Sequence, residues 1–475
     1  MILVFILGGL FISVHLYNLS AMGNPVVVGC ALSSLRLDST DIAFFLTLSL
    51  YTNIVKINEQ PEKYIMKTET GYSPFIELMN RRGWALQEQT NKQLVFTSAD
   101  GDLTARVSIN GKYRLILLPK DAPTRVEPRF QEITLTAAGD ILMHNTQIYS
   151  GLQTDGSYRY DSFFVPVKKL LEEGDYCSTN FEAAMAGPES GYTGYPLFNS
   201  PDAMADTLKE GGFDLVITAN NHCLDRGYAG GVRTLDILHR AGLDTTGTYS
   251  NLSDSKKYLV KNINGVKVAY LAYTYSTNGI PVPKDRSYFV NMLDTKRIVK
   301  DIKAVRPYSD FIVLVMHWGV EYNPQATDEQ KEMARQFFKA GADIILGSHP
   351  HVIEPMEVIK VNGTDKFVIY SMGNFIGHQR GLERNSGVVL KFKLAKDMAQ
   401  GKTLLKEVSY TPTFSHSYRE NGRLQFRVVP VEETIQKIQA GQDPYLDQSY
   451  IPVLKAVLKN TQNQLGPNDL ILNSD

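Results

Sequence analysis

The chain has 475 residues, 43% hydrophobic and 21% charged, with 25 tyrosines and 21 phenylalanines, enough apolar surface to offset chain entropy and exclude a wholly disordered protein. Lys plus Arg total 49 against 50 for Asp plus Glu, so no global field recruits nucleic acid, and any polyanion must be held locally. Three widely spaced cysteines, Cys30, Cys177 and Cys223, exclude a disulfide framework and a cysteine-based zinc module.

Residues 1–19 carry no charged side chain, and as a helix they would span roughly 28 Å, close to a hydrocarbon core of about 30 Å. This predicts a membrane anchor within a signal-like region over residues 1–58. No Lys or Arg precedes Arg36, so the positive segment of a secretory signal is missing and orientation is left open. Val27-Val28-Gly29-Cys30 resembles a lipoprotein cleavage box, with an ordinary thiol as the alternative. The apolar run 42–51 reads either as a second membrane contact or as the true hydrophobic segment behind a later start.

From residue 61 the composition is that of a soluble protein. Residues 75–84 have helical spacing closed by Arg82-Gly83, and the alternating runs 93–97 and 103–109 flank Asp100-Gly101, a hairpin signal. With a third run at 113–118, residues 61–118 read as a small α+β module. Pro119, Pro123 and Pro128 mark a linker over 119–130.

Beyond Pro128 strands alternate with helices, the pattern of a largely βα-organised sheet. Strands are predicted at 133–137, 215–218, 266–270, 311–315, 344–346 and 367–370, and helices at 203–211, 231–241, 294–305 and 328–340. A main domain over 131–430 precedes a helical tail over 431–475. The rhythm is α/β.

Most of these strands run into metal-capable or polar groups: Asp140, Asn220-Asn221-His222, His317, His349-Pro350-His351 and Asn374. In open α/β sheets, sites form outside the carboxyl ends of strands, so distant segments converge there. Asp, Asn and several His together suit a borderline divalent cation. Carboxylates such as Asp140 and Glu182 can bridge two ions, and paired ions clamp a displacement at phosphorus. Each residue has a plainer role: Asp140 as a helix cap or turn residue, Asn220-Asn221 as a turn, Asp225 as a helix cap rather than an orienter of His222. His349 and His351, two apart, share a face if the segment is extended. His144, four past Asp140, either joins the cluster or faces water.

The ordered series AAGDILMH, TNFEAAM, ITANNHCLDRG, MHWGVEY, GSHPHVIEP and SMGNFIG, within residues 131–387, resembles the CapA family of poly-γ-glutamate capsule biosynthesis proteins. The resemblance implies a four-layer, metallophosphatase-like β-sandwich flanked by helices. It also implies two divalent ions (Mn, Fe or Zn) on Asp140, Glu182, Asn221, His317, His349 and His351. It makes His222 a general acid whose ring Asp225 holds, and places Glu321 in an outer shell and Asn374 in the pocket, with Asn220 and His144 nearby. Phe181 and Met372 stand where the family commonly has Leu. The expected setting is the outer side of the cell membrane, single-pass or signal-anchored. Expected partners are the membrane, an anionic polymer or phosphoester substrate, and poly-γ-glutamate synthase subunits, with no nucleic acid. Two roles stay open: a metal-dependent phosphoesterase-like hydrolase, or a non-catalytic subunit of a synthesis and export complex.

Overall fold

The computed structural model describes residues 130–473 apart from 399, and before them residues 2–7, 10–15, 54–57, 60–63, 76, 79–81, 83–89, 93–97, 103–108 and 114–119. The chain divides into two compact units, Met1–Glu127 and Pro128–Asp475.

In the first unit, Ile2–Leu7 pairs antiparallel with Leu10–His15, where the apolar run predicts a helix. Among the described residues no helix is long and apolar enough to cross a membrane. Cys30 and the run 42–51 lie outside the described residues. Farther on, Ala85–Gln89, Gln93–Thr97, Leu103–Ser108 and Arg114–Pro119 form a four-stranded antiparallel meander. Its second and third strands flank Asp100-Gly101.

The second unit is built on two mixed sheets. In the first, Asp244–Thr246, Leu215–Ile217, Tyr176–Phe181 and Phe130–Ile141 run parallel. Ser386–Asp397, Lys402–Glu420 and Arg423–Pro430 then extend it antiparallel. In the second, Val266–Thr274, Phe311–His317, Ile344–Ser348 and Thr364–Ile369 run parallel, with antiparallel edges Leu259–Ile263 and Met356–Val361. The sequence pattern showed six of the eight parallel strands; Tyr176–Phe181 and Asp244–Thr246 are additions to it, as are the three long antiparallel strands, which carry no βα rhythm.

Strand alternation explains the layering. Val268, Tyr270, Ala272, Phe311, Val313 and Val315 face the other sheet, where they meet Ile133, Leu135, Leu215 and Ile217 in one core. The intervening Ala269, Leu271, Ile312, Leu314 and Met316 pack on the helices Thr295–Val305 and Asp328–Ala340. Both faces are covered, which is why these strands read as unbroken apolar runs. On the outer face of the first sheet, Ala138, Cys177, Val216 and Phe375 pack against the helices Ala203–Glu210 and Gly227–Arg240. The order is therefore helix, sheet, sheet, helix. Helices Val431–Gln439 and Ile451–Leu465 close a further core with Phe414 and Val429.

Local signals set the ends. Asp294 caps Thr295–Val305 by accepting from the Arg297 N–H. Thr327 and Gln330 form a capping box on Asp328–Ala340, which stops at Gly341 with φ 122°. Close backbone approach decides another glycine: a Cβ on Gly139 would lie 2.0 Å from the Gly373 carbonyl oxygen, so the Asp140 strand and the segment before Asn374 can meet only without a side chain there.

Candidate metal centre

The carboxyl ends of both parallel sets deliver polar side chains to one place. Asp140 lies within the last two residues of Phe130–Ile141 rather than beyond it, with Asn374 directly opposite in register. Glu182 follows Tyr176–Phe181, and Asn220 to His222 follow Leu215–Ile217. His317 ends its strand, and His349 and His351 follow Ile344–Ser348.

Two groups of three donors form: Glu182 with His349 and His351, and Asp140 with Glu182 and His317, each set within 4.8 Å of one another. Glu182 is common to both. Its Oε1 stands 3.7 Å from His317 Nε2 and 3.7 Å from His351 Nε2, too far to hydrogen bond. Two ligands of one tetrahedral ion, each about 2.1 Å from it, stand roughly 3.4 Å apart. Glu182 Oε1 and His349 Nδ1 are buried without a hydrogen-bond partner, an expensive state unless a cation takes their lone pairs. Asn221 turns its Oδ1 toward His317 Nε2 at 3.0 Å. The donor set thus fits two divalent ions sharing one carboxylate.

Neighbours hold these donors in place. Asp140 accepts from Asn180 Nδ2 at 2.8 Å and from the His349 N–H at 3.1 Å. Asn374 Oδ1 lies 3.0 Å from His351 Nδ1, and Ser348 Oγ 2.9 Å from His317 Nδ1. Asn220 donates to Asn180 Oδ1 and to the Phe181 carbonyl and accepts from the His222 N–H, tying the amide layer to the histidine loop. Such outer contacts orient ligand rings.

His349 and His351 do not sit on an extended segment: their φ values are 98° and 59°. Left-handed backbone is uncommon for a histidine, and here the loop turns sharply so that both rings point at Glu182. Strain of this kind persists only where the surroundings hold it, and the His349 N–H bond to Asp140 is one such restraint.

Burial sets the electrostatics. Desolvation pushes Asp140 from 3.8 up to about 7 and lifts Glu182 well above its ordinary value, with Asp140's charge, then those of Glu321 and Asp225, adding to the second effect. Desolvation also lowers His351 to about 3, His349 to about 4 and His317 well below 6.5. The imidazoles are therefore neutral, the form that binds a metal, and the carboxylates gain most from a nearby cation.

Beside the cluster His222 Nδ1 lies 2.7 Å from Asp225 Oδ2, which also accepts from the Phe198 N–H. The Phe198 ring meets the His222 ring edge-on at 4.7 Å. His144 stands outside both donor groups: half-buried, it caps a short helix through Gln147 and packs on Phe198 at 5.7 Å. Glu321 is exposed and hydrogen bonds to none of the site residues; it acts on Glu182 through charge alone.

Three residues went unremarked in the sequence. Asn180, inside the TNFEAAM run, contacts both carboxylates, Asp140 at 2.8 Å and Glu182 at 3.4 Å. Asn278 accepts from Asn221 Nδ2 at 3.1 Å and places its own amide nitrogen 3.3 Å from His222 Nε2. Ser348 is the third. Asn180 could have been found from its place between the two acids; a Ser-Thr-Asn-Gly turn such as that around Asn278 has no chemical signature.

The fold and the cluster define a two-sheet α/β protein with a histidine and carboxylate centre suited to paired cations. The family model of the bacterial capsule synthesis protein PGA_cap matches residues 134–379, more than half of the chain, and the chain belongs to that family. It is 29% identical over 298 residues to the PGA biosynthesis protein CapA of Bacillus subtilis (strain 168), covering 56% of this chain and 76% of the relative. It is 30% identical over 274 residues to the capsule biosynthesis protein CapA of Bacillus anthracis, covering 56% of this chain and 64% of the relative. Among solved structures it is similar to a putative 5'-nucleotidase from Staphylococcus aureus at 14% identity and a TM-score of 0.39, over 69% of this chain and 58% of that one. The match therefore spans less than two thirds of the Bacillus anthracis relative and of the solved structure.

Proposed function

We propose that this chain is a metal-dependent, phosphoesterase-like hydrolase of the metallophosphatase type, held at the outer side of the cell membrane and acting in poly-γ-glutamate or envelope polymer metabolism. The observation that carries this reading is the pair of donor groups sharing Glu182, with its unpartnered Oε1, beside the His222–Asp225 pair. Asp140, Glu182, Asn221, His317, His349 and His351 would hold two divalent ions, Mn, Fe or Zn. Such ions supply polarisation of a phosphoryl oxygen and a more acidic water.

The chain's own residues do the rest. Asp225 anchors His222 through Nδ1, so Nε2, which the Asn278 amide nitrogen approaches to 3.3 Å, is the nitrogen that would give a proton to a leaving oxygen. The Phe198 ring and the Asp225 bond to its N–H stop the imidazole from turning. Asn180 and Asn220 keep the acids and the histidine loop in register. The motive for the tether is the charge-free, apolar composition of residues 1–19 and not a spanning helix, since Ile2–Leu7 and Leu10–His15 pair as strands.

The test is direct. Full-length protein loaded with Mn should cleave a chromogenic phosphodiester or monoester, and His222→Ala should lower the rate about 10²- to 10⁴-fold with metal content unchanged. Equal rates for both proteins would sink the assignment.

A second reading, a non-catalytic subunit of a poly-γ-glutamate synthesis and export complex, is favoured by the relatives' printed names. Those include a probable polyglutamine synthesis accessory protein of Mycobacterium tuberculosis, 23% identical over 176 residues. A His222→Ala strain that still makes normal polymer would select it.

A further inference from the structure

Arginines in a folded protein normally find an acceptor, because the guanidinium presents five N–H donors. Among the described residues from 130 on, every arginine but two has a carboxylate or hydrogen-bond acceptor within 4.0 Å. The two exceptions, Arg380 and Arg384, lie on one short segment immediately after Asn374. Glu321 and Glu383, the nearest acids by sequence and charge, come within 4.0 Å of neither.

The segment is built rather than loose. Asn374, whose Oδ1 orients His351, donates from Nδ2 to Gln379 Oε1 at 3.2 Å and to the Arg384 carbonyl at 2.7 Å. Asn385 closes the same turn by donating to the carbonyls of Gln379 and Gly381. The Arg384 guanidinium carbon sits 3.7 Å from the centre of the Tyr322 ring, and that ring stands 5.9 Å from His351. Tyr322 is itself fixed: its φ is 63° and its N–H donates to the Pro350 carbonyl between the two histidines. One amide therefore ties a histidine donor to the backbone of a half-buried arginine, and one tyrosine ring contacts both that arginine's guanidinium and the same histidine's ring. Stacking on a ring face leaves all of the guanidinium's edge donors available in plane.

We infer that Arg384, on its Tyr322 platform, is an anion subsite of the metal centre. The ligand therefore carries a second oxyanion, carboxylate or phosphate, beside the group that meets the metal donors. This rests on the metal-site reading given under Proposed function. With two divalent ions against the carboxylates Asp140 and Glu182 and three neutral imidazoles, the cluster is already positive, and Arg384 extends that charge outward along one side. Arg380 adds charge to the same segment.

The test is calorimetric titration of full-length, metal-loaded protein and its Arg384→Gln and Arg384→Lys variants. The probes are γ-linked tetraglutamate in one arm, propane-1,3-diyl bisphosphate in another, and inorganic phosphate as a one-anion control. Arg384→Gln should weaken at least one of these multiply anionic probes about tenfold or more, the scale of a charge-assisted hydrogen bond. It should leave inorganic phosphate within about twofold and metal content unchanged. Arg384→Lys, which keeps charge but not the planar fork, should recover part of the loss. The arm that responds identifies the source of the oxyanion. No response in either arm, no binding of either probe by the unaltered protein, or an equal loss for inorganic phosphate would overturn the inference. Binding that depends on Arg384 in a protein that hydrolyses nothing would leave the subsite standing and defeat the hydrolase reading instead.

Discussion

Asp140→Asn offers a test in which the sign of the effect depends on whether metal is present. Asp140 is fully buried, and in metal-free protein its folded-state pKa is about 7 against an ordinary 3.8. A group whose folded pKa is raised contributes most stability below its unfolded pKa and loses it as pH rises through the folded value. At pH 7.5 the penalty is about 4 kcal/mol. Asparagine removes that penalty but has one acceptor oxygen where Asp140 uses two, for Asn180 Nδ2 and the His349 N–H. One donor is left facing an amide nitrogen, at about 1–3 kcal/mol. Chelated Asp140→Asn protein should therefore be more stable than chelated parent by about 1–3 kcal/mol at pH 7.5, and the gap should narrow and then reverse toward pH 4, where the penalty is under about 1 kcal/mol. Metal-loaded protein should show the reverse, because binding energy that stabilises only the native state is lost with the ligand charge. Urea midpoints at several pH values, with and without chelator, measure all of this. A chelated variant that is less stable than the parent at pH 7.5, or a gap that does not narrow on acidification, would refute the account of Asp140 as a desolvated acid awaiting a cation.

Other outcomes follow from single contacts. Asn180→Ala removes the amide that touches both acids, and metal affinity by competition with a chelating dye should fall about 10- to 100-fold. Gly139→Ala places a Cβ 2.0 Å from the Gly373 carbonyl oxygen, so thermal melting should show a loss of several kcal/mol, on the order of 4 or more. His416, away from the metal centre, is held down to about 4 by burial and then by Arg427, whose Nε donates to its Nδ1 at 3.2 Å. Its folded pKa is depressed, so its contribution is present above about 6.5 and is lost as pH falls toward 4, at most about 3 kcal/mol. His416→Gln should flatten the acid limb of the stability curve measured by urea unfolding.

Much of this site is legible in the chain because its donors are local to strand ends. A run such as residues 311–316 followed by His317, or 344–348 followed by two histidines, announces both a doubly covered strand and what emerges from it. The order of six such segments also carries the family. Periodicity says less about the antiparallel extension Ser386–Asp397, Lys402–Glu420 and Arg423–Pro430, whose pairing spans long stretches of chain. It misreads residues 1–15, where apolar runs of equal hydrophobicity serve helix or hairpin alike.

What the sequence by itself determined was the inventory: which strands would be buried on both faces, and which oxygen and nitrogen donors each would release at its end. Only the tertiary structure decided that Glu182 stands in both donor groups and that His349 and His351 converge through left-handed backbone rather than along a strand. It also decided that Asn180 braces two acids and that Arg384 lies over Tyr322 with no acceptor of its own. The physical reason is one of range. Strand pattern is set by neighbours two residues apart, whereas coordination distance and charge pairing are set by residues up to about two hundred positions apart, as for Asp140 and His349, and those distances exist only once two sheets have packed.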